Sequence, residues 1–113
     1  VIEVTVRGAP NEEVARKVCD VVAQSTAVRA ACMRNLPDWG TLLAAIGSSG
    51  VDLRPELLEL RVGHLLLMIE GLPCPFDHST AMQLFTSPEV NFMIDLHFGP
   101  AEASVITCTW HEE

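Results

Sequence analysis

Asp95 and His97 stand two residues apart in the stretch 90–98, VNFMIDLHF. Side chains at that spacing leave the same face of a strand, so the carboxylate and the imidazole could work as an acid/base pair. Alternating polar residues on the outer face of a one-sided sheet make the same pattern without any chemistry, and that is the simpler reading. The other histidines carry less. His78 follows Asp77 at an expected helix start, His64 falls in an expected turn, and His111 lies near the end of the chain.

Cys74, between Pro73 and Pro75, is the most nucleophile-like thiol, yet nothing adjacent in sequence would lower its pKa. The four cysteines, Cys19, Cys32, Cys74 and Cys108, contain no C-x-x-C, and the four histidines form no H-x-x-x-H pair. That spacing argues against a zinc site and fits reduced thiols, packed as small apolar groups in a cytoplasmic protein. The GSSG at 47–50 has no strand before it and no Lys-Ser/Thr after it, so it is not a phosphate-binding loop. These residues alone describe an α+β domain with no self-contained active site.

The elements that would position them follow from periodicity. Ile2, Val4 and Val6 alternate with Glu3, Thr5 and Arg7, the pattern of a half-buried strand. Asn11 can cap a helix that carries Glu12 and Glu13 in its first turn and Val14, Val18, Val21, Val22 and Ser25 at helical spacing, to about Gln24. Ser25 or Thr26 can cap a second short helix through Val28, Ala31 and Cys32, stopped by Pro37. Asp38 is a natural cap for a helix over 39–46, with Gly47 as its left-handed terminator. Trp39 and Gly40 sit side by side in its first turn; Trp39 either anchors the helix or is simply core, and Gly40 allows close backbone approach.

Residues 57–62 and 65–69 read as two strands, joined by Gly63-His64 as a two-residue hairpin turn. Residues 70–76, EGLPCPF, read as a proline-punctuated loop. Asp77 can cap a helix through Ala81, Met82, Leu84 and Phe85, ending before Pro88. Val90, Phe92, Ile94, Leu96 and Phe98 form one face of the next strand; Asn91, Met93, Asp95 and His97 form the other. Gly99-Pro100 turns the chain into a last strand over 103–110. The order β-α-α-α-β-β-α-β-β implies an α+β two-layer sandwich, a mixed or antiparallel sheet with helices on one face.

At 113 residues, 49% of them apolar, the chain is one domain with enough material for a core. A formal charge of −8 argues against nucleic acid and against an anionic membrane surface as partners. The longest apolar runs, such as 65–69, are far too short to span a membrane, and no secretory signal is visible. The chain opens on Val1 already in a strand pattern and closes just after another strand, so we expect it to be part of something longer.

Four ordered segments carry a family resemblance. LPDWGTLLAAIGSSG resembles the Pro-Asn-Trp-Gly-Arg-(Ile/Leu)-Leu-Ala-Ala-(Ile/Val)-Gly signature of the bifunctional ornithine acetyltransferases of arginine biosynthesis, also called glutamate N-acetyltransferases. VIEVTVRGA is similar to that family's first strand here, Phe-Ile-Glu-Val-x-Val-x-Gly-Ala. VARKVCDVVAQSTAVRAACM resembles its helix pair, and VNFMIDLHFGPAEASVITC its Val-Asp-Leu-Gly-x-Gly-x-Gly ending.

The resemblance implies that residues 1–113 are a single domain, the C-terminal part of the family's β chain. It implies an enzyme that cleaves its own precursor before a threonine, whose hydroxyl then uses its own α-amine as base. That threonine takes acetyl from N2-acetylornithine and passes it to glutamate in a ping-pong cycle, with no cofactor or metal; acetyl-CoA is a co-substrate in bifunctional members. The implied partners are the α chain of the same precursor, further αβ copies in a heterotetramer or larger, and the amino-acid substrates. The family's nucleophile, oxyanion-hole residues and substrate lysine would lie upstream, and no catalytic, substrate-binding or metal residue is transferred to this segment.

Two departures matter: Asp38 and Thr41 stand where the signature has Asn and Arg, and the glycine-rich turn is reduced to FGPAEA. They leave room for a paralogue of secondary metabolism, as in a clavulanic-acid cluster. The element order also permits a ferredoxin-like small-molecule-sensing or interaction domain.

Overall fold

A computed structural model of the chain describes residues 2–25, 39–51, 53–86 and 89–107. The expectations for residues 26–38, for the side chains of Trp39 and Thr41, and for Cys108 and His111 lie outside the described residues.

Strand β1 (Ile2–Ala9) leads into helix α1 (Glu12–Gln24), and helix α2 (Trp39–Gly47) follows. A 3-10 turn at Pro55–Leu57 precedes β2 (Glu59–Val62), β3 (Leu65–Ile69) and the two-residue β4 (Leu72–Pro73). Helix α3 (His78–Thr86), β5 (Val90–Asp95) and β6 (Ala101–Thr107) complete the described fold. The strands form one six-stranded sheet in the order β4-β3-β2-β5-β1-β6. Only β1 and β5 pair in parallel, and every other neighbour is antiparallel, so the sheet is mixed as expected.

Strand alternation decides which side is core. Ile2, Val4 and Val6 of β1, Leu60 and Val62 of β2, and Val90, Phe92 and Ile94 of β5 are buried. Helix α1 packs on β1 and β6 and sends Ala15, Val18, Cys19, Val22 and Ala23 into the same core. Ile46 of α2 is buried there too, and Leu84 of α3 packs against the same core. The opposite face carries Glu3, Thr5, Arg61, Met93 and Asp95, and at its β6 edge Ile106 is 66% exposed.

Local chemistry sets the ends of the helices. Asn11 Oδ1 accepts the Val14 amide at 2.9 Å, the N-cap expected of α1. Asp77 Oδ2 accepts both the Thr80 amide at 3.0 Å and its hydroxyl at 2.8 Å, capping α3 as expected.

Five expectations need correction. Gly47 is the last residue of α2 and has no positive φ; Gly50 does, at +76°. The free carbonyls are met instead by serines: the Ser48 amide bonds Ala44 O at 2.9 Å and its hydroxyl bonds Ala45 O at 2.8 Å. The strand expected from 57 begins at Glu59, because Pro55 starts a 3-10 turn in which the Leu58 amide bonds Pro55 O.

Residues 70–76 are not all loop. Ile69 and Leu72 pair across a tight turn in which Glu70 and Gly71 both have positive φ, the geometry that matches strand twist in a two-residue hairpin. Pro73 is tolerated because β4 is an edge strand. The last strand starts two residues early, at Ala101. Finally, the strand expected through 98 stops at Asp95, since His97 adopts φ +50°.

Candidate functional site

The described acid/base cluster lies where β2, β5 and β1 meet. Glu59 and Asp95 are direct cross-strand partners, so their side chains leave the same sheet face. Beyond Asp95 the chain keeps contact with β1: the Leu96 amide bonds Arg7 O at 2.9 Å, and the Phe98 amide bonds Gly8 O at 2.7 Å. Between those two anchors His97 turns through its left-handed φ and comes back over the carboxylates. Its Nε2–H donates to Glu59 Oε1 at 2.8 Å, and Nδ1 lies 3.6 Å from Asp95 Oδ1. Its backbone amide donates to the same Asp95 oxygen at 2.9 Å.

The remaining Glu59 oxygen, Oε2, accepts from Arg61 Nε at 2.8 Å. The hydrogen bond from His97 is the main cause holding the Glu59 carboxyl below its ordinary pKa; partial burial opposes it and Arg61 adds to it. Glu59 and Asp95 side chains are only 12% and 13% exposed, whereas His97 is 46% exposed. The cluster therefore has a guarded floor of carboxylates and an open imidazole. Its members are an acid/base set and a possible cation-binding set, with no hydroxyl or thiol among them.

The pairing of Asp95 with His97 is thus real, though not for the reason alternation suggests: His97 is off the strand and reaches back. Glu59 was missed, because 36 residues separate it from Asp95 and only cross-strand register joins them. His64 sits exposed in the β2–β3 turn, away from this group in register, and His78 begins α3. Cys74 ends the β4 region, its amide bonded to Leu67 O at 2.9 Å.

Cys19 is fully buried, its thiol donating to Ala103 O at 3.3 Å and Val4 O at 3.6 Å. Burial pushes its pKa up to about 11, so it is an inert core thiol.

On the core side of the sheet a cavity of about 170 Å³ opens between α2 and the 3-10 turn, lined by Leu43, Ile46, Leu53, Leu58, Leu96 and Arg54 among others. The Arg54 guanidinium lies over the Phe98 ring, 4.8 Å from its centre. The lining is almost wholly aliphatic and offers binding, not chemistry.

Comparison with known proteins decides the family. The ArgJ family model matches residues 1–113, the whole chain. The chain belongs to the ArgJ family. The arginine biosynthesis bifunctional protein ArgJ of Symbiobacterium thermophilum is 39% identical over 107 residues, covering 95% of this chain and 27% of the relative. The glutamate N-acetyltransferase of Methanopyrus kandleri is 36% identical over 110 residues, covering 93% of this chain and 28% of the relative. The chain therefore spans little more than a quarter of these relatives' length. The crystal structure of ArgJ from Bacillus halodurans superposes with a TM-score of 0.91 at 26% identity, covering 97% of this chain and 52% of that one. The ArgJ assignment read from four sequence segments thus holds over the full length, and so does the mixed α+β sheet. ArgJ proteins are acetyltransferases of arginine biosynthesis by these names.

Proposed function

We propose that this chain is the C-terminal part of the β chain of an ArgJ acetyltransferase that moves acetyl from N2-acetylornithine to glutamate. The nucleophile is an N-terminal threonine, freed by cleavage of the precursor and lying upstream of these residues. It carries acetyl as an ester between the two half-reactions, its own α-amine serving as base. No metal or cofactor takes part in that exchange, and acetyl-CoA enters only as a co-substrate where both activities are present. The role of this chain is to scaffold the β chain and to dock on the α chain, within a heterotetramer or larger.

The observation that carries the reading is the match of the family over all 113 residues, which favours it over a free-standing sensing domain. The chemistry on the page agrees with a scaffold. Of the two described thiols, Cys19 is buried with a raised pKa, and the Glu59–Asp95–His97 cluster contains no nucleophile. The departures Asp38 and Thr41 bear on which amine is acetylated, in arginine biosynthesis or in a secondary-metabolism paralogue.

The test is an acetyl-exchange assay on the precursor that carries this chain, with labelled N2-acetylornithine and unlabelled glutamate. Labelled N-acetylglutamate is the expected product. A precursor that cleaves itself but transfers no acetyl to glutamate would overturn the substrate assignment.

A further inference from the structure

The cluster on the outer sheet face has a property that acetyl transfer does not require. Glu59, Asp95 and His97 each bring one ligand-capable atom within 4.8 Å of the others. Each carboxylate has one oxygen fixed from outside the imidazole ring, and the second Glu59 oxygen, Oε1, accepts from His97 Nε2 at 2.8 Å. Arg61 fixes Glu59 by Oε2, and the His97 amide fixes Asp95 by Oδ1. This is how outer partners orient metal-binding carboxylates.

We propose that Glu59, Asp95 and His97 form a binding site for a divalent first-row transition-metal ion of the zinc type. The donor set selects the class: an imidazole beside two carboxylates suits zinc, cobalt, nickel or iron, whereas magnesium and calcium favour oxygen alone. Nε2 and Oε1, now 2.8 Å apart, both serve as ligands. Two ligands at about 2.0–2.2 Å from a tetrahedral ion stand roughly 3.3–3.5 Å from each other, so the pair opens by about half an ångström. The proton shared between them leaves as the ion enters, and the ion takes its place. A carboxylate oxygen of Asp95, within 4.8 Å of the other two ligand atoms, closes in as the third ligand, and water fills the position on the exposed side of His97.

The charge around the site is compatible with a cation. Arg61 pairs with Glu59, while Arg7, the cross-strand partner of Asp95, directs its Nε to Glu102 at 4.0 Å. The Arg61 guanidinium meets Glu59 through the oxygen that the ion does not use. Nothing here depends on the acetyl-transfer reading.

Titration of the metal-free full-length protein that carries this chain with Co²⁺, as the spectroscopic substitute for zinc, tests the site. The expected result is saturable 1:1 binding with visible d–d bands and no intense near-ultraviolet thiolate band. His97→Gly is the decisive variant, because glycine adopts the φ of +50° without cost and keeps the fold. It should weaken binding by at least about tenfold, and Glu59→Gln should do the same. His64→Ala, at an exposed turn, should leave affinity unchanged. Absence of saturable binding, a thiolate-dominated spectrum, or equal affinity in His97→Gly would each overturn the proposal.

Discussion

Gly8 packs so tightly beneath Asp95 that a Cβ on it would overlap both Asp95 Oδ1 and the backbone nitrogen of His97. Gly8 also has φ +69° and lies in the irregular stretch where the β1–β6 register shifts. Two demands thus fall on one residue: a left-handed backbone and room for the turn that brings His97 back.

Gly8→Ala should therefore lower stability by more than about 2 kcal/mol, combining left-handed strain with a backbone clash. Urea unfolding of the variant checks this. A midpoint within error of the parent chain would show that the turn at His97 is not held as described.

His97→Gly should be nearly neutral in stability. It relieves a left-handed non-glycine residue worth about 1 kcal/mol, and it gives up a partly exposed hydrogen bond to Glu59 of similar size. Thermal unfolding without metal should place the two proteins within about 1 kcal/mol of each other. A large loss would assign the imidazole a structural role that its exposure does not suggest.

Much of this region was legible in the sequence, and most of what was missed depends on contacts far apart along the chain. Strands β1 and β5 showed themselves by alternation, α1 and α3 by their Asn11 and Asp77 caps, and the β2–β3 turn by Gly63. Sequence patterns speak of neighbours along the chain. The Glu59–Asp95 pairing depends on register between strands far apart in sequence, and no periodicity encodes it. Spacing rules for metal ligands fail for the same reason. The left-handed His97 and the Glu70–Gly71 turn escaped too, since Glu gives no signal of positive φ and the preference of His for it is too weak to outweigh the strand alternation around it. Gly47 misled in the other direction: a glycine at a helix end is a common terminator, but two serines already satisfied the carbonyls.

Cys19 should set a pH limit on stability. Its folded pKa of about 11 lies above the ordinary thiol value of 9.0, so the folded state holds the proton more tightly. That contribution is complete below about pH 9 and is lost as pH rises through about 11, a fall of about 2–3 kcal/mol. The chain has no tyrosine and Lys17 as its single lysine, so the other groups in that window are chiefly Cys32, Cys74 and Cys108, and the Cys19→Ala comparison separates the buried thiol from them. Denaturant unfolding from pH 8 to 11 should show the fall, and Cys19→Ala should flatten it. The same burial predicts that iodoacetamide labels Cys74 well before Cys19 in the native protein, as read by peptide mass spectrometry.

Ile46 is the buried anchor of α2 in the core and lines the aliphatic cavity. Ile46→Ala should cost about 2–5 kcal/mol, as truncations of buried aliphatic side chains do. A smaller loss, measured by urea unfolding, would mean that α2 contributes little to the core of this chain.

If this chain is an exchangeable part of an ArgJ enzyme, a chimera shows it directly. In the Symbiobacterium thermophilum ArgJ, the segment of 107 matched residues can be replaced by the corresponding part of this chain. The product is then assayed for acetyl transfer from N2-acetylornithine to glutamate. We predict a self-cleaved, folded enzyme that still transfers acetyl, while the 113-residue chain alone transfers none. A chimera that folds and cleaves yet makes no N-acetylglutamate, or a lone chain that makes it, would contradict the account.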